Sequence, residues 1–172
     1  MAAALALLSA VLFGAGDFFG GTAARRTHVL VVVAASHVVG LVMILAVAPG
    51  MADAVTGRDL VYGAMAGLFG LVGIGCLYHC LGRGPMAVVA PTTAISNAVL
   101  PVLWGVTHGE HLSTVNTVGV LLGLGAIGLI SGGAGIWRLA GARRVPPTLV
   151  LEALLAGVGF AGFYIFMDAT TE

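Results

Sequence analysis

Residues 4–23 read ALALLSAVLFGAGDFFGGTA: twenty residues that hold one charge, Asp17, and end against the pair Arg25-Arg26. About 20 consecutive apolar residues in a helix cross the hydrocarbon layer of a bilayer. A lone carboxylate inside such a run costs roughly 2.5–3.5 kcal/mol even on a lenient insertion scale. The stretch reads as a membrane-spanning helix that keeps an expensive group. A cleaved signal peptide does not fit, because no charged segment precedes the run and its apolar part is too long. A twin-arginine signal does not fit either, since the arginine pair follows the run.

The rest of the chain agrees with this reading. Of 172 residues, 59% are hydrophobic and 8% charged, and the mean hydropathy is +1.10. Soluble domains carry about 25% charged residues. Seven arginines and seven acidic residues are too few to dress the surface of a water-soluble domain of this length. Zero net charge gives no reason to expect a nucleic-acid partner. Five further apolar runs follow, at residues 29–47, 60–81, 86–106, 115–136 and 149–167. The expected fold class is therefore an all-α integral membrane protein, a multi-span helical bundle. Short connections predict that sequential helices pack as antiparallel neighbours.

Arginines set the expected orientation. Arg25, Arg26, Arg83, Arg138, Arg143 and Arg144 fall in the first-to-second, third-to-fourth and fifth-to-sixth connections, and Arg58 alone falls on the other side. The positive-inside rule places the six in the cytoplasm and the N-terminus outside. Glycine pairs at Gly16-x3-Gly20, Gly63-x3-Gly67, Gly119-x3-Gly123 and Gly128-x3-Gly132 have the spacing that lets helix backbones approach in lipid.

An internal similarity bears on domain organisation. LLSAVLFGAGDFFGGTA from Leu7 and LLAGVGFAGFYIFMDAT from Leu154 share Leu, Leu, Val, Phe and Phe in register. The sixth run would then open a second copy of a five-helix unit. An odd number of spans per unit places the two copies in opposite orientations. The expected division is a first five-helix repeat at 1–136, a cytoplasmic linker at 137–148, and the first helix of a truncated second repeat at 149–172.

Local patterns now coincide with one family. LFGAGDFFGGTAARR resembles the first helix of bacterial EamA-type transporters of the drug/metabolite transporter superfamily. The segment from Leu77 to Ser131 resembles that family's third to fifth helices, with Ala90-Pro91, Pro101, Gly109-Glu110 and the glycines from Gly119 to Gly128 in the matching order. The resemblance implies a ten-helix carrier of small metabolites or drugs, with a central cavity between inverted halves, in the bacterial plasma (inner) membrane. It also implies that both termini are cytoplasmic, against the arginine distribution.

Asp17 is the first candidate site residue. It lies about 12 Å along the helix from Arg25, with Gly14, Gly20 and Gly21 on or near its face. The expectation is a cavity-lining carboxylate that binds a cation or a proton; the alternative is a structural hydrogen bond. His37 and His79 are the other membrane-embedded groups able to relay protons, although a single histidine more often bonds across helices. Arg83, at a helix end, is expected to reach for the interface. Cys76, His79 and Cys80 share a helical stripe, but no complementary pair of cysteines exists, so packing is expected and no metal site.

In the fourth run Pro91 and Pro101 each remove a backbone hydrogen bond and are expected to kink the helix. Thr93, Ser96 and Asn97 lie beside them, placed either to bond a substrate or to repair the backbone. HGEHLS, residues 108–113, lacks the H-E-x-x-H spacing of a metalloprotease, and Glu110 is expected near the N-terminus of the fifth helix, where the family resemblance implies a structural turn.

No phosphate-binding glycine loop is present, and no cofactor is expected. The favoured reading is a non-enzymatic secondary carrier or exporter of a small organic molecule. It would act with a missing second half or as a homodimer. The alternatives are a non-transporting assembly subunit and, with less support, an intramembrane hydrolase using Ser96 and His79.

Overall fold

The computed structural model describes residues 2–48, 56–133 and 145–170. Among these the chain is entirely helical: α1 Ala2–Ala24, α2 Val29–Val47, α3 Gly57–Arg83, α4 Met86–Thr107, α5 Thr114–Gly133 and α6 Pro147–Asp168. All but α5 are long and apolar enough to cross a membrane, and in α5 the apolar stretch Thr114–Ile130 is shorter. The expected end of the fifth run at residue 136 and most of the 137–148 linker lie outside the described residues.

Local chemistry sets the helix ends. α3 begins three residues before the apolar run, because Thr56 and Asp59 form a reciprocal capping box that recruits polar residues into the first turn. α6 starts on Pro147, where a missing N–H costs nothing. α4 ends at Thr107, and the chain turns away two residues on at Gly109, whose φ of +93° only glycine adopts cheaply. Glu110 lies in the turn just before α5 but does not cap it. Ser113 caps it by accepting from Asn116 N at 3.2 Å. The Glu110 carboxylate instead folds back over Gly105, where a side chain would collide with it.

α3 is the hub, in contact with α1, α2, α4 and α6. Consecutive helices from α1 to α5 are neighbours, as short connections require. α6 breaks that rule: it skips α5 and packs against α3 and α4. Of its most apolar window 33% is buried, against 17% or less in the other spans, so α6 is the most enclosed helix of the bundle.

Glycines make this seat possible, but mostly not the pairs that spacing singled out. A Cβ on Gly159 would lie 2.6 Å from the Gly73 backbone, and one on Gly73 would lie 3.0 Å from Phe160 N. Gly157 admits the Ser96 side chain of α4 in the same way. Gly63, Gly67, Gly119, Gly123 and Gly128 face open space. The surroundings of Gly132 fall outside the description. Among the expected pairs Gly20 does meet a neighbour, the ring of Tyr78.

Candidate functional site

The candidate residues fall into three clusters around α3. The first joins α1, α2 and α3. Gly20 lets Tyr78 approach α1, and the Tyr78 hydroxyl donates to Gly16 O at 3.4 Å. Asp17 is half-buried beside this crossing, and both its carboxylate and the Ser36 side chain act on the Tyr78 hydroxyl. Among the described residues no hydrogen bond ends on the Asp17 carboxylate. His37 stays apart, with Nδ1 bonded to Val33 O of its own helix at 2.8 Å.

The second cluster is the α4–α6 seam. Thr93 is buried and donates to Ala153 O of α6 at 3.0 Å. Ser96 donates to Thr92 O and Thr93 O, both at 3.1 Å, while Thr92 donates to Val88 O at 2.7 Å. The Ser96 and Thr92 hydroxyls serve the backbone around Pro91, inside the helix, while Thr93 bonds across to α6. Asn97 differs: its Oδ1 is buried with no partner among the described residues. One turn further on, Pro101 withholds the N–H that would have reached the Asn97 carbonyl. Asn97 is therefore the polar group of α4 with spare bonding capacity.

The third cluster contains a residue the sequence reading missed. Glu152, on the second turn of α6, meets His79 of α3 through a direct contact between its Oε1 and His79 Nδ1. Arg83, one turn below, reaches His79 Nε2 at 3.3 Å. Arg83 thus turns to His79 instead of simply reaching for the interface. Glu152, like Asp17, is a carboxylate held inside an apolar run. Arg25 comes in from the end of α1, donating from Nε to Leu81 O at 3.1 Å and from Nη2 to Gly84 O at 2.9 Å. Arg25, Arg83, Glu152 and Thr148 line a cavity of about 680 Å³. A second, apolar cavity of about 510 Å³, between Phe69, Trp104, Val158 and Phe166, lies toward the other end of α6.

Ser96 and His79 are bonded to different partners, so nothing resembling a hydrolytic pair is assembled. Cys80 donates to Leu149 O at 3.6 Å, and no metal-binding group of His, Cys, Asp or Glu exists among the described residues.

A multi-pass helical bundle with polar clusters and cavities between its spans has the architecture of a membrane transport protein. The chain matches the EamA-like transporter family over residues 1–132, and it belongs to that family. Membership makes it a membrane transporter, non-enzymatic, that handles a small-molecule substrate. The match ends before α6. No curated protein and no solved structure matches the chain.

Proposed function

We propose that the chain belongs to a secondary carrier, an importer or exporter, that moves a small organic metabolite or drug across the bacterial inner membrane. Residues 1–136 form its first repeat, 137–148 a cytoplasmic linker, and 149–172 the opening helix of an inverted second repeat. The observation that carries this reading, beyond family membership, is the Asp17 carboxylate. It is half-buried in a spanning helix, within electrostatic reach of Tyr78, with no hydrogen bond to fix it among the described residues. A carboxylate retained at that cost and left without a structural bond is available to a cationic group or a proton. Asn97 supplies a second unsatisfied group, on α4. The exposed apolar face of α1, with Leu5, Leu12 and Phe19, fits a seat for a second half or a second copy.

The test is saturable flux in proteoliposomes. Asp17→Asn keeps size and hydrogen bonding but removes the titratable charge. It should insert and fold like the parent and lose transport or its pH dependence. Normal transport by Asp17→Asn across the pH range would reduce Asp17 to a packing role. Absence of any saturable flux in the parent would favour an assembly subunit.

A further inference from the structure

The Arg83–His79–Glu152 chain fixes the state of its central ring. Arginine only donates hydrogen bonds, so the Arg83 contact places a lone pair on His79 Nε2. The proton of the neutral ring is then assigned to Nδ1, where it is donated to Glu152. A proton arriving at Nε2 takes up the lone pair that holds Arg83. Two N–H groups on two cations would then face each other, and the guanidinium must leave. The space open to it is the cavity of about 680 Å³ that Arg83 already lines.

We propose that this cavity binds an organic anion under the control of His79: protonation of the ring releases Arg83 into the cavity, where its guanidinium pairs with the ligand's carboxylate. The proposal rests on the carrier reading and names its substrate class. A planar guanidinium fork suits a carboxylate, which it engages through two parallel bonds. Charge complementarity points the same way. Arg25, Arg83 and Glu152 give the lining one net positive charge, and a proton on His79, which contacts two of them from behind the lining, adds one more. Binding one anion together with one proton leaves the charge of the site unchanged.

The surrounding elements do not offset this. From α3, Cys76 and Cys80 lie within electrostatic reach of Glu152. From α1, Arg25 is held by two carbonyls, and Asp17 acts on Tyr78. On α2, His37 bonds its own backbone and His28 caps the helix start. α4 carries no ionisable side chain. Glu152 is the ionisable group that α6 brings to the cavity.

The test uses the full chain in lipid nanodiscs, labelled with nitrogen-15 at histidine, with benzoate as the probe anion. Binding of proton and anion must strengthen each other reciprocally. Saturating benzoate should move the titration of His79 to higher pH. Above that titration benzoate affinity should fall about tenfold for each pH unit. In Arg83→Gln, His79 should still titrate and benzoate should no longer shift it. No benzoate binding at any pH, a His79 titration unmoved by benzoate, or a shift that survives in Arg83→Gln would overturn the proposal. Transport that depends on Asp17 while His79 ignores benzoate would leave the carrier reading standing and remove only this one.

Discussion

At the residue scale, Arg25 shows how one side chain ties two helices. Its bonds to Leu81 O and Gly84 O satisfy carbonyls at the end of α3 and place positive charge at the negative end of that helix. Both bonds are charge-assisted, so Arg25→Ala should destabilise the detergent-solubilised protein by about 1–2 kcal/mol, discounted for exposure. Arg25→Lys should recover part of this, since an ammonium lacks the fork that reaches both carbonyls. Arg26→Ala is the control, expected within about 0.5 kcal/mol of the parent. A thermal or SDS-unfolding midpoint for Arg25→Ala equal to that of Arg26→Ala would show the two bonds to be incidental. Thr93 gives a smaller effect. Thr93→Val removes the bond to Ala153 O but keeps the shape, and interhelical bonds in membranes average about 0.6 kcal/mol. A loss several times larger in the same assay would mean that Thr93 holds more than this one bond.

At the element scale, the decisive contact is α3 with α6. Backbone meets backbone at Gly73 and Gly159, so a side chain there forces the helices apart. Gly159→Leu should lower the unfolding midpoint by the equivalent of about 1–3 kcal/mol or prevent folding. Gly119→Leu, in open space, should fold like the parent. Equal behaviour of the two variants would contradict the seat described for α6. Spacing alone did not separate these glycines. A small-x3-small pattern says that close approach is possible, not which face meets a neighbour. α6 was also expected beside α5, yet thirteen residues separate the two helices, enough chain to let α6 pass over to α3 and α4. The spans themselves were legible, because length and hydropathy are local properties. Hydropathy alone starts the third helix at residue 60, three residues late, because the Thr56–Asp59 capping box adds polar residues that it excludes. Asp17 and His79 were legible as ionisable groups in apolar runs. Glu152 and its bond to His79 were missed: the partners are 73 residues apart, and pairing of that kind leaves no local pattern.

At the scale of the whole molecule, orientation in the bilayer remains a matter of charge. The structure gathers Arg25, Arg83 and Pro146 around one cavity, so the end of α1, the end of α3 and the start of α6 share one end of the bundle. Arg58 lies on the first turn of α3, over the Tyr62 ring at 5.4 Å, at the other end of that helix. Among the described arginines, Arg58 therefore belongs to one end and Arg25, Arg26 and Arg83 to the other. Arginine near a span resists translocation, so this end should be cytoplasmic and the N-terminus outside. The family resemblance points the opposite way for the termini. Single cysteines in a Cys76→Ser, Cys80→Ser background separate the two. Thr27→Cys, in the first connection, should escape a membrane-impermeant maleimide in intact cells and react only after permeabilisation. His111→Cys, between α4 and α5, should react without permeabilisation. The reverse pattern would place the arginine-rich end, and with it the cavity of Arg83 and Glu152, on the outer face. The anion would then enter that cavity from outside the cell.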